Sequence, residues 1–138
     1  MILIGSNIID TLKASLNNVT IRESYTGLPP VYPMITIDEI PSNDGGYAGN
    51  QPRIVRNIFT LEVYAKNMMM NGKPMSKKSA AMLLIMQADK ILNEVYGLTM
   101  TGNVHGAPYD DETVFRVVAR YNVYIDTQTK VLYRGLIK

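Results

Sequence analysis

The chain has no cysteine and a single histidine, His105. The first absence excludes a disulfide framework, a thiolate zinc site and a cysteine nucleophile, and it fits a reducing compartment. The second excludes any histidine dyad or histidine metal pair within one chain, and Gly106 and Pro108 mark His105 as a loop residue. Charge of one sign is also scarce. Fourteen Lys and Arg against twelve Asp and Glu give a net charge of +2, with the basic residues scattered, which is poor material for a nucleic-acid footprint. Long apolar runs are missing too. The longest, Ala80 to Met86, is far too short to span a bilayer, and Met1 to Ile4 lacks a basic leader, so a soluble protein made in the cytoplasm with no membrane partner is expected. No glycine-rich phosphate cradle occurs, since Gly45-Gly46 with Gly49 matches neither a P-loop nor a dinucleotide fingerprint. The serines lack a glycine-flanked nucleophile elbow.

What is present is strand and helix periodicity. At 138 residues the chain suits one domain, able to bury roughly two thirds of its unfolded surface without metal or disulfide. Ile8, Ile9, Leu12 and Leu16 repeat at helical spacing, so a first helix is expected from a cap at Ser6 or Asn7 to about Asn17. Val19 to Tyr25 and Tyr32 to Ile40 read as strands, the second bracketed by Pro33 and Pro41. Ser42 to Pro52 reads as a long mobile loop, poor in apolar anchors. Arg53 to Lys66 returns as a strand that should pair antiparallel with Tyr32 to Ile40. Asn67 to Met75 reads as a second mobile loop with four methionines. Ser76 caps a helix to Tyr96, stopped by Gly97. Beyond it, Leu98 to Asn103 is expected as a short strand, Val104 to Asp111 as a loop, Thr113 to Asp126 as a long strand and Val131 to Tyr133 as a closing strand. In the long strand Phe115, Val117, Ala119, Tyr121, Val123 and Ile125 fall on one face, and Arg116, Arg120, Asn122 and Tyr124 on the other. The expected fold is α+β, one domain over 1–138: a mainly antiparallel sheet of about five to six strands against two helices, one N-terminal and one at about 76–96.

Candidate chemistry is sparse. Asp110, Asp111 and Glu112 could seat a cation or serve as acid and base, but adjacent carboxylates on a turn point apart, and a solvated turn or subunit contact is the favoured reading. Tyr64 and Tyr124 with Arg56, Arg116 and Arg120 could stack single-stranded nucleic acid, against the plainer alternative of cross-strand packing. On the long helix Ala81, Leu84, Ile85, Ala88, Ile91, Leu92 and Val95 form the main apolar stripe, while Met82, Leu83 and Met86 lie off it. Together with Met68, Met69 and Met70 these surplus residues either fold over one another within a subunit, or meet a neighbouring one, or do both.

Tyr32-Pro33-Met34-Ile35-Thr36-Ile37, Phe59 to Ala65, the helix Ala80 to Tyr96 and the strand from Asp110 to Ile125, in this order, resemble the tail terminator (tail-completion, or tail-to-head joining) proteins of long-tailed bacteriophages. The resemblance covers nearly the whole chain, with Tyr64 standing where such proteins often carry an aromatic, commonly tryptophan. It implies a structural, non-enzymatic virion protein of the neck, without a cofactor. Its homo-oligomeric ring, usually hexameric, would cap the head-proximal end of the tail tube, halt tube polymerisation and join the head connector, with DNA passing through the lumen without specific binding. Interface candidates on this reading are Met68, Met69, Met70, Met82, Leu83 and Met86, the loop residues Gly45, Gly46 and Tyr47, and Asp110, Asp111, Glu112, Arg116 and Arg120. The alternatives are a head-completion or connector protein of the same neck, or a small cytosolic nucleic-acid- or ligand-binding module.

Overall fold

Two strands of 12 residues, β5 (Ile54–Ala65) and β9 (Phe115–Asp126), pair antiparallel along their whole length, from Ile54 opposite Asp126 to Ala65 opposite Phe115. The computed structural model in which they lie describes residues 4–23, 31–42, 47–48, 51–52, 54–102 and 104–126. The described elements run α1 (Gly5–Ser15), β1 (Thr20–Glu23), β2 (Met34–Ser42), β3 (Tyr47–Ala48), β4 (Gln51–Pro52), β5, β6 (Met68–Met70), β7 (Lys73–Met75), α2 (Lys77–Tyr96), β8 (His105–Ala107) and β9. The main sheet has the order β1-β2-β5-β9-β8 and is antiparallel except for β1 beside β2. The fold is therefore α+β, a five-stranded, mainly antiparallel sheet with two helices, and two small hairpins beside it.

Strand alternation decides where the core sits. Phe59, Leu61 and Val63 of β5 face the same side as Val117, Ala119, Tyr121 and Val123 of β9, and both helices pack on that side. From α1 come Ile8, Ile9 and Leu12. From α2 come Ala80, Ala81, Leu84, Ile85, Ala88 and Leu92, whose small alanines let the helix settle close to the sheet. Tyr121 is fully buried, and its hydroxyl donates to Asp89 Oδ1 at 2.8 Å, so one polar group of the core fixes α2 over β9. Tyr96 ties the far end of α2 to α1 through Thr11 Oγ1 (2.7 Å) and the Asn7 carbonyl (3.0 Å).

The termini of α2 follow local chemistry. Ser76 accepts from the Ser79 amide at 3.2 Å, and Gly97 takes the left-handed conformation at φ 68°, its amide donating to the Asn93 carbonyl. The start of α1 does not. The helix begins at Gly5, before the expected caps at Ser6 or Asn7, and no side chain of its own caps it. Glu39 of β2 does so instead, accepting from the Ile4 amide (3.0 Å), the Gly5 amide (2.8 Å) and Asn57 Nδ2 (2.6 Å). A carboxylate at a helix N-terminus also meets the positive end of the helix dipole.

Three further expectations change. Met68–Met70 and Lys73–Met75 are not a loop but a hairpin, turning at Asn71 (φ 52°) and Gly72 (φ 76°), the Asn-Gly pair that suits a two-residue hairpin with positive φ at both positions. The expected 42–52 loop contains structure as well, since Ser42 ends β2 and Tyr47–Ala48 pairs with Gln51–Pro52. The short strand belongs to His105–Ala107, placed in a loop by its glycine, whereas the expected strand Leu98 to Asn103 contributes one bridge, Met100 to Tyr121. The closing strand at Val131 to Tyr133 lies outside the described residues.

Removing the Glu39 carboxylate should leave three donors without their acceptor. Glu39→Ala is expected to cost about 2–3 kcal/mol in denaturant unfolding. A methyl on Gly5 would meet Glu39 Oε1 at 2.8 Å, so Gly5→Ala should displace the same cap. The two losses should be markedly less than additive in the double variant.

Candidate subunit-contact surfaces

The methionines divide by strand and helix geometry. Met68 and Met70 sit on one face of the β6–β7 hairpin and pack with Met75 against the core, while Met69, on the other face, is 62% exposed. Met82 is half-buried and also packs on the core; Leu83 is half-buried. Met86, one turn beyond Met82, is 54% exposed. Intrasubunit packing thus accounts for Met68, Met70 and Met82 and leaves Met69 and Met86 facing outward.

Between the hairpin, α2 and the chain that joins α1 to β1 lies a groove of about 620 Å³. Leu16, Val19, Met68, Met70, Leu84 and Ile91 supply its apolar lining, and Lys90 and Glu94 stand on its α2 side. Both charges are exposed and one helical turn apart.

The opposite side of the sheet carries neither helix, and its two ends differ. At the end near β8, Glu62, Tyr64 and Arg116 form one cluster. Arg116 Nη2 forms an ion pair with Glu62 Oε1 and its Nη1 donates to the Pro108 carbonyl at 3.2 Å, while the Tyr64 hydroxyl donates to Glu62 Oε2 at 2.6 Å. The Tyr64 ring meets Tyr109 edge-on at 5.2 Å, Tyr109 shares a 3.1 Å hydroxyl contact with Tyr32, and Lys66 lies 4.8 Å over the Tyr32 ring. Burial raises the Arg116 cost of charge, but the hydrogen bond and charge of Glu62 more than offset it and its pKa rises. Burial and the bond to Glu62 push the Tyr64 phenol up to about 12, and burial with the Tyr109 contact does the same to Tyr32. Tyr64 and Arg116 are thus engaged with each other and with the 108–109 segment, which is the packing alternative to a stacking platform.

The other end of this face exposes an apolar side chain. Ile40 is 51% exposed, with Ile58 directly opposite in β5. In the neighbouring row Asp38, Thr60 and Arg120 stand side by side across β2, β5 and β9, with Asp38 and Arg120 exposed.

The acidic turn is local structure. Asp110, Asp111 and Glu112 are all exposed, and Asp111 accepts from the Thr113 amide (2.9 Å) and hydroxyl (2.6 Å), which holds its pKa below the usual carboxylate range. Lys77 Nζ donates to the Glu112 carbonyl, tying the turn to the start of α2. Among the described residues no group of three or more His, Asp or Glu side chains is placed to hold a metal ion. Tyr47 lies in β3, and Gly45 and Gly46 fall outside the described residues.

Sequence reading found Arg116, Arg120 and the methionines but missed Glu62, Tyr32 and Tyr109, and on the groove side Lys90 and Glu94. Strand polarity marks Glu62 and Arg116 as facing one side, but only the register, which sets Tyr64 opposite Arg116, brings them together. No protein-family model matches this chain, and no curated protein matches it. Among the described residues no helix is long and apolar enough to cross a membrane.

The raised phenols make the fold sensitive to alkali. Tyr32 and Tyr64 bind their protons more tightly in the folded state than the ordinary value of 10.0 implies, so folded molecules hold more protons between pH 10 and about 12. Their contribution is complete below pH 10 and disappears as pH rises through about 12. Thermal melts over this range, with phenolate absorbance followed in parallel, should show stability falling, and Tyr64→Phe should make the fall shallower.

Proposed function

We propose that this chain is a structural neck protein of a long-tailed bacteriophage, forming a closed ring on the head-proximal end of the tail tube. The ring halts tube polymerisation and offers its other side to the head connector. The observation that carries this reading is a pair of separate surfaces with exposed apolar side chains on one chain: a groove walled in part by Met68, Met69 and Met70, with Met86 also exposed on α2, and Ile40 on the sheet face opposite the helices. Two unlike surfaces on one chain suit head-to-tail contacts, which close into rings when the rotation per subunit permits. The resemblance in element order supports the same reading. On it the chain works as an assembly part and not as an enzyme, requires no cofactor, is made in the host cytoplasm and resides in the virion.

A bound ring stops tube growth by occupying the end at which the next tube subunits would add. In phage lacking this gene, micrographs of lysates should show tails of abnormal and variable length that fail to join filled heads. Met86→Glu should reproduce the defect in part, because a charge forced into a subunit contact without a partner costs several kcal/mol per contact while the exposed site leaves the fold intact. Normal-length tails joined to heads in the deletion would remove the terminator assignment.

A further inference from the structure

The groove on the helical side and the Ile40 end of the sheet face each carry apolar side chains and a charge of either sign. The groove is lined by apolar side chains together with Asn17, Asn18, Gln87 and the charged Lys90 and Glu94. The sheet end presents an apolar pair, Ile40 and Ile58, next to a row that ends in Asp38 on one side and Arg120 on the other. None of the side chains of Asp38, Arg120, Lys90 and Glu94 has a hydrogen bond or ion pair among the described residues. Each surface thus combines apolar side chains with one exposed charge of either sign that has no partner among the described residues. The sheet separates them within one subunit: the groove is built on the face that carries α2, and Ile40 projects from the face that carries no helix. A single chain cannot bring them together. A second copy can.

We infer that the groove receives the Ile40 end of a neighbouring copy's sheet, with Lys90 meeting the neighbour's Asp38 and Glu94 its Arg120. Asp38 and Arg120 are separated by two strand spacings, about 10 Å, and Lys90 and Glu94 by about 6 Å at Cβ, a difference that the long lysine, arginine and glutamate side chains span. The methionine walls suit this role, because an unbranched thioether side chain repacks around an incoming branched one. The contact is heterologous, so each subunit gives one surface and receives the other, and repetition builds the ring. This pairing rests on the ring reading of the proposed function and adds to it the identity of the two surfaces.

The absence of cysteine allows a direct test. In the full-length protein, Ile40→Cys and Met69→Cys should each stay uncrosslinked under mild oxidation, while the double variant should form a ladder of covalent multimers ending at the size of the native ring. Charge reversal gives an independent reading. Lys90→Glu with Glu94→Lys reverses the groove, Asp38→Lys with Arg120→Glu reverses the sheet end, and either protein alone should assemble at least about tenfold more weakly than the natural chain. The chain carrying all four reversals should assemble again, as should an equal mixture of the two half-reversed proteins in an alternating ring of even number. Native rings whose double-cysteine variant gives no ladder, and whose half-reversed variants assemble undiminished, would overturn the pairing and leave the ring reading standing. A natural chain that stays monomeric over a light-scattering concentration series, alone and with tail tubes, would overturn both.

Discussion

The ladder between β5 and β9 is the constraint on which the rest of the molecule depends. Because the strands pair over all 12 of their residues, a single register decides every neighbour on both faces. On one face it stacks Phe59 beside Tyr121 and Val63 beside Val117, giving α2 an apolar bed and placing the Tyr121 hydroxyl under Asp89. On the other it sets Tyr64 beside Arg116, which lets Glu62 bind both. A slip of one residue would exchange the two faces and dismantle the core and the polar cluster together.

That polar cluster covers one end of the sheet face opposite the helices. Arg116 reaches the Pro108 carbonyl and Tyr109 reaches Tyr32 and Tyr64, so the segment before the acidic turn is fastened across the strands. Met34 and Thr36 are buried at this end of the sheet face, whereas Asp38 and Ile40 farther along β2 are not. Arg116, an interface candidate by sequence, serves chiefly within the subunit. Arg120, two same-face positions farther along β9, retains an exposed side chain.

Much of the fold was legible locally. Alternation marked β9 and β5, Ser76 and Gly97 bounded α2, and the antiparallel pairing of β2 with β5 followed from their order. The Asn71-Gly72 turn was legible too, but the run of methionines lacks the usual strand residues and directed attention to a loop. Neither β8 nor the start of α1 carried its signal locally. His105–Ala107 is extended because β9 offers it a partner, and the helix opens at Gly5 because Glu39, 34 residues away, supplies the acceptor. Of the exposed methionines, Met86 could be named from a helical wheel. The groove could not, since it depends on the hairpin folding back over α2.

The cap supplied by Glu39 sets an order of events during synthesis. Residues 5–15 leave the ribosome before the carboxylate that closes the front of their helix, and Asn57, which shares that carboxylate, comes later still. Until β2 and β5 have emerged and paired, the first turn of α1 has amides without acceptors and an apolar stripe without a bed. The helix is therefore secured only after the strands that follow it, and a nascent chain halted before residue 57 would display Ile8, Ile9 and Leu12 to whatever chaperone waits at the exit.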